Sequence, residues 1–137
     1  MDNFKLDPQL ANDCFVLGKL DLSLVLLMNN SLLPWFILVP QVNVVEIYEL
    51  SEQEQSALLS EVNQISKFIK DEFHSEKLNI AAIGNIVKQM HIHIIGRSQS
   101  DYCWPKVVWG IDKEDAYSEK EVDKIKSMLE SKLNRIL

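Results

Sequence analysis

The sequence predicts an α+β domain with a mainly antiparallel sheet of about five strands, one long helix and flanking helices. Three observations predict it. The hydrophobic patterns run in the order helix, two strands, helix, two strands, helix. Ser-x-x-Glu boxes at Ser51 and Ser118 mark two helix starts. No repeat, low-complexity tract or linker divides the 137 residues, so a single domain over 1–137 is expected.

Asp7-Pro8 opens the first helix, because Asp7 can cap the first amides and Pro8 suits the first helical position. Leu10, Ala11, Cys14 and Phe15 give it an apolar stripe, and Gly18 is its stop. Residues 19–28 (KLDLSLVLLM) follow as a strand, with Leu20, Leu22, Leu24 and Leu26 on one side and an end apolar on both sides. Asn29-Asn30-Ser31 is a polar turn. Residues 32–39 (LLPWFILV) form a second strand, which Pro40 limits. A connecting segment with Val44, Val45 and Ile47 then leads to the longest helix. Ser51 and Glu54 cap it, and Leu58, Leu59, Val62, Ile65, Ile69 and Phe73 form its apolar face.

Two further strands, 77–83 and 86–97, flank Gly84-Asn85, a pair suited to a two-residue hairpin. A loop with Trp104-Pro105 and Trp109-Gly110 precedes a last helix from Ser118 to about Asn134. Ser118 and Glu121 make its capping box, Tyr117 and Val122 its hydrophobic staple, and Val122, Ile125, Leu129 and Leu133 its inward face.

Composition narrows the function. An apolar fraction of 47% with 25% charged residues is that of an ordinary globular protein. A net charge of −6 with no Lys/Arg cluster argues against general nucleic-acid binding. It leaves room for a phosphorylated small molecule held by backbone amides and neutral donors. Cys14 and Cys103 have no CxxC spacing, so neither a disulfide framework nor a zinc cluster is indicated. The N-terminus lacks signal-peptide character and no apolar run approaches membrane-spanning length. A soluble cytoplasmic protein without membrane association is expected.

The stretch Gln89-Met90-His91-Ile92-His93-Ile94-Ile95-Gly96-Arg97 holds two of the three histidines in the chain. On a strand, Gln89, His91 and His93 share one face, while Met90, Ile92 and Ile94 share the other. Spacing alone leaves three readings open. The histidines can be satisfied strand residues. They can offer two imidazoles to a metal, although no third ligand is marked. Or one imidazole, neutral near physiological pH, can attack an electrophile such as phosphorus while the other positions it.

The pattern Gln-φ-His-φ-His-φ-φ, where φ is apolar, followed by Gly-Arg, resembles the His-φ-His-φ-His-φ-φ signature of the histidine triad family of nucleotide hydrolases and transferases. The position of the motif, on a late strand after a long helix and another strand, is similar. So is the earlier strand ending Phe36-Ile37-Leu38-Val39-Pro40. The resemblance covers about residues 20–100. Asn79 with the motif, together with Trp104-Pro105 and Trp109-Gly110, resembles a bacterial subgroup of that family.

The resemblance implies a nucleophilic role for His91, as the histidine that attacks an α-phosphate and carries a covalent nucleotidyl group. It implies contact between His93 and phosphate oxygens or the leaving group. Gln89 stands at the first triad position, where it can donate and accept hydrogen bonds but cannot titrate. The related galactose-phosphate uridylyltransferases tolerate Gln at the third position. Trp35 stands where many members carry a histidine after glycine. Asn79 resembles an amide that contacts nucleotide phosphates. The hairpin reading would turn Asn79 away from His91; a wider loop over residues 80–87 would bring it back and set Gly84 and Asn85 near phosphate. Asn29, Asn30 and Ser31 are candidates for ribose or base contacts, and Arg97 for neutralising substrate charge. Trp104 and Trp109 can stack on a base, pack at an interface or fill the core.

The function expected from the resemblance is hydrolysis or nucleotidyl transfer at the α-phosphate of a nucleoside phosphoryl compound, such as a dinucleoside polyphosphate or phosphoramidate. No metal or cofactor is implied, and a homodimer is expected. The alternatives are a nucleotide-binding module impaired by Gln89 and, third, a metal-binding protein.

Overall fold

The computed structural model describes residues 3–133. It is an α+β fold: α1 (Pro8–Asp13), β1 (Cys14–Lys19), β2 (Ser23–Met28), β3 (Trp35–Pro40), α2 (Glu52–Phe73), β4 (Lys77–Ala81), β5 (Ile92–Arg97) and α3 (Glu119–Leu133), with one 3-10 turn at Ile47–Glu49. The five strands form one sheet in the order β1-β2-β3-β5-β4, and each neighbouring pair is antiparallel. No helix among the described residues is long and apolar enough to cross a membrane.

The sheet is apolar on both faces, and alternation along the strands sorts the side chains into two cores. Val25, Leu27, Phe36, Leu38, Ile92 and Ile94 pack beneath α2 and α3, against Leu58, Val62, Ile65, Phe68, Ile69, Ile125 and Leu129. Leu26, Trp35, Ile37, Val39 and Ile95 face the other way, onto Leu10, Cys14, Leu33 and Val108. Phe4, Leu6, Tyr102 and Trp109 close that second core from outside. The histidine strand is therefore buried on both sides.

Both helix starts follow the capping rule. Ser51 accepts from the Glu54 amide, and Glu54 accepts from the Ser51 amide. Ser118 and Glu121 exchange the same pair of bonds. Tyr117, Val122 and Leu133 pack on the core beneath α3 as expected. The end expected for α3, Asn134, lies outside the described residues. On α2, Leu59 is exposed, and Phe68 takes its place in the apolar face.

Four expectations are corrected. The first helix ends at Asp13, and Cys14–Lys19 is the strand β1 rather than the helix end. Cys14 and Phe15 look like successive positions of a helical stripe, yet they point to opposite faces of the sheet. Pairing with β2 decides the matter, because it satisfies the backbone of residues that a short helix would leave at its frayed end. Likewise residues 20–22 turn between β1 and β2, with the Leu20 amide donating to the Ser23 carbonyl. Leu20 and Leu22 thus join the core under α2, while Leu24 and Leu26 lie opposite. The second expected strand starts only at Trp35, after a turn from 29 to 34.

The fourth correction concerns the hairpin. Residues 82–91 are a broad loop rather than a tight turn at Gly84-Asn85, and pairing begins at Ala81 opposite His93. The Met90 amide donates to the Val44 carbonyl, so the loop backbone is satisfied by the 41–46 segment and not by a hairpin partner. This register places Asn79 opposite Ile95, on the face of His93.

Candidate active site

His93 lies in β5 and His91 immediately before it; both are buried, with ring centroids 5.0 Å apart. Two hydrogen bonds set their tautomers. His91 Nδ1 lies 2.7 Å from the carbonyl oxygen of Gln89. A carbonyl can only accept, so Nδ1 carries the proton and Nε2 carries the lone pair. The Trp35 indole Nε1–H donates to His93 Nδ1 at 3.0 Å. An indole N–H can only donate, so here Nδ1 carries the lone pair and Nε2 the proton. The two imidazoles thus present complementary atoms, a nucleophilic nitrogen on His91 and an N–H donor on His93.

Electrostatics agree with that assignment. Burial, reinforced by the neighbouring His91, pushes the His93 pKa down to about 4. Trp109 presents its ring edge-on to His93 at 5.1 Å and to Trp35 at 5.9 Å. The aromatic wall around His93 is assembled from β3, β5 and the 98–118 segment.

The Gln89 side chain holds the N-terminal segment rather than the imidazoles. Its Oε1 accepts from the Asp7 amide at 2.8 Å and its Nε2 donates to the Lys5 carbonyl at 2.7 Å. The carboxamide therefore pairs with the N-terminal segment much as a strand neighbour would. Asp7 also caps α1 through the Gln9 amide, so the helix and the histidine strand share one anchor.

Arg97 is neither solvated nor turned outward. It is 2% exposed, and its Nε and Nη2 donate to the two carboxylate oxygens of Asp101 at 2.8 and 3.1 Å. Nη1 donates to Asn79 Oδ1 at 2.8 Å, and Nη2 reaches Cys103 Sγ at 3.5 Å. Burial opposes the charge on Asp101. The bonds from Arg97, Ser98 and Cys103 outweigh it and hold its pKa below the usual carboxylate value. The ring of Trp104 lies 5.7 Å from the guanidinium carbon. Arg97 thus joins Asn79 on β4 to the 98–103 segment.

Asn29 Oδ1 accepts from the Tyr117 amide at 2.9 Å, and Asn30 Oδ1 from the amides of Leu32 and Asp115. The Ser31 amide donates to the Asp115 carbonyl. These turn residues bind the segment leading into α3. Asn85 is exposed on the 82–91 loop, while Gly84 lines a recess with His91. That recess, about 50 Å³, is completed by Val45, Glu46, Ala82, Ile83, Lys88, Gln89 and Met90. A larger groove of about 470 Å³, between the 31–34 turn, the end of α2 and α3, contains neither histidine of the pair. Among the described residues no group of three or more His, Cys, Asp or Glu is arranged to hold a metal ion.

Sequence reasoning missed the bond from Trp35 to His93, the Asp101 carboxylate and the Lys5–Asp7 backbone. The Arg-x-x-x-Asp spacing from Arg97 to Asp101 was the one local signal, and it reads equally well as a solvated loop pair. The other two are contacts across 58 and more than 80 residues of chain.

The HIT domain model matches residues 9–100. No curated protein matches the chain. Among solved structures, a histidine triad protein from Sinorhizobium meliloti 1021 is similar at 38% identity, with a TM-score of 0.93 over 96% of this chain and 98% of that one. One from Bradyrhizobium japonicum is 39% identical, with a TM-score of 0.91 over 94% and 97%. One from Marinobacter aquaeolei VT8 is 41% identical, with a TM-score of 0.92 over 98% of each chain.

Proposed function

The chain belongs to the histidine triad family of nucleotide-binding hydrolases and transferases, and from that premise we propose that it transfers a nucleotidyl group through His91. The observation that carries this reading is the bond from His91 Nδ1 to the Gln89 carbonyl, which leaves the lone pair on Nε2.

The substrate is a nucleoside phosphoryl compound. The His91 Nε2 lone pair forms a bond to the α-phosphorus as the bond to the leaving group breaks, and the leaving group takes that electron pair. Water then attacks the phosphorus, the N–P electron pair returns to Nε2, and the nucleoside monophosphate leaves as a proton passes to solvent. His93 supplies an Nε2–H to a phosphate oxygen or the leaving atom. Asn79 fits the role of a phosphate contact, because Arg97 engages its Oδ1 and leaves Nδ2 as the donating end. In this reading Arg97 acts through Asn79 rather than on the substrate. Gly84 and Asn85 approach the phosphates from the loop, and Asn29 borders the nucleoside end through its Nδ2.

One observation favours a second reading, a nucleotide-binding module with impaired catalysis: the Gln89 amide is committed to Lys5 and Asp7 and cannot relay a proton. Incubation with an α-labelled adenylylated substrate separates the two. Wild type and His93→Ala retain label on the protein, and His91→Ala does not. Full turnover by His91→Ala overturns the first reading. Tight binding of nucleoside monophosphate without turnover, with activity restored by Gln89→His, supports the second.

Two features support a homodimer. Among the described residues β4 is an edge strand with one unpaired ladder edge, and Ile80, Ile83 and Ile86 are exposed on it and on the following loop. The free thiols Cys14 and Cys103 fit a reducing, cytoplasmic setting.

A further inference from the structure

We propose that Trp35 is a positioning residue that locks His93 as a permanent Nε2–H donor, and that this lock restricts the site to leaving groups that depart as stable anions. The proposal deepens the nucleotidyl-transfer reading and rests on it.

The lock is geometric. The Trp35 indole is a donor and nothing else, and it sits 3.0 Å from His93 Nδ1. A proton arriving at Nδ1 would face that N–H head-on and break the bond. The surroundings give such a proton no support. Ile37 of β3 and Ala81 of β4 flank His93 across the sheet, Trp109 covers it from the 98–118 segment, and His91 precedes it on its own chain. His91 is the one titratable side chain among these neighbours, and a proton on His91 would repel one on His93.

A neutral imidazole can stabilise developing charge through its Nε2–H, but it is a poor general acid. The leaving atom must therefore carry away its own electron pair without receiving a proton. A phosphoryl or carboxylate oxygen does so readily. An amine does not, because without a proton it would have to depart as the far more basic amide anion. Gln89 offers no alternative acid, since it cannot titrate. Trp35 and Gln89 thus remove the two places from which a proton could reach an amine.

The test has two arms. In wild type, nitrogen NMR of the histidine rings between about pH 5.5 and 8, a range spanning the ordinary value of about 6.5, should show His93 with Nδ1 unprotonated and Nε2 protonated throughout. In Trp35→Phe, which keeps an aromatic ring but no donor, His93 should populate both tautomers and titrate closer to 6.5. The kinetic arm compares adenosine 5′-(4-nitrophenyl phosphate) with adenosine 5′-phosphoramidate at pH 6. Wild type should favour the aryl ester by about 100-fold or more, the scale of a missing general acid, and Trp35→Phe should narrow that ratio about tenfold or more. A wild-type His93 that titrates in the ordinary range, or that carries its proton on Nδ1, overturns the proposal even if the variant does not fold. Equal turnover of both substrates by wild type also overturns it. A locked His93 with no turnover of either substrate overturns the nucleotidyl-transfer reading and with it the leaving-group claim, while the role of Trp35 as a lock is upheld.

Discussion

In the folded chain His93 refuses a proton that the unfolded chain accepts. Its pKa falls from 6.5 to about 4 because it is buried and sits beside His91. Between these values the unfolded state binds more protons, so stability rises with pH. The contribution is fully present above about pH 6.5, and roughly 3 kcal/mol of it is lost by about pH 4. Urea denaturation of wild type and His93→Phe across this range checks the sign: the wild-type midpoint should fall more steeply on acidification than that of the variant. Parallel profiles would show that His93 titrates normally. The protonation state of the ring, unlike its position, was hidden from sequence reasoning. His91 and His93 stand out as a pair, but their protonation is set by the Gln89 carbonyl and by an indole 58 residues away.

At the scale of the element, β5 must satisfy two packed faces at once. Gly96 lies tight against Ile69 of α2: a Cβ there would meet Ser75 Oγ, and would lie 2.7 Å from both Ile69 Cγ2 and Pro34 Cγ. Gly96→Ala therefore forces the helix end and the 31–34 turn outward. It should cost about 1–3 kcal/mol, measured as a lower midpoint in thermal or urea unfolding; an unchanged midpoint would mean that α2 yields without strain. The caps of α2 and α3 were legible because each is a contact between residues three apart. β1 was not, because Leu10, Ala11, Cys14 and Phe15 fit a helical stripe until pairing with β2 is taken into account. The Gly84-Asn85 hairpin failed for a related reason: the Met90 amide found its acceptor on Val44, in a distant segment. Where the deciding bond is local the sequence carries it, and where the partner is remote the local pattern misleads.

Across the whole molecule, the sheet separates a helical core from a face assembled out of irregular segments. Gln89 ties down residues 5–7, Arg97 ties Asn79 to Asp101, and Asn29 and Asn30 tie down residues 115–117. The fold class followed from the order of patterns, and the candidate site was proposed from the motif. The face itself is built from contacts between segments far apart in sequence, which no short pattern encodes. The unpaired edge of β4 belongs to this scale too. Light scattering should give twice the chain mass for wild type, and Ile80→Lys with Ile86→Lys should shift it toward the monomer; a monomeric wild type would refute pairing along β4.

The claim at the centre is that His91 becomes covalently nucleotidylated. The stereochemical course at phosphorus tests it most directly, even when the intermediate is too short-lived to isolate. A substrate chiral at the α-phosphorus, as its phosphorothioate, is turned over in heavy-oxygen water and the configuration of the product is read. Attack by His91 Nε2 followed by attack of water gives two inversions, and so net retention. Net inversion would mean that water attacks the substrate in a single step, and would contradict the account.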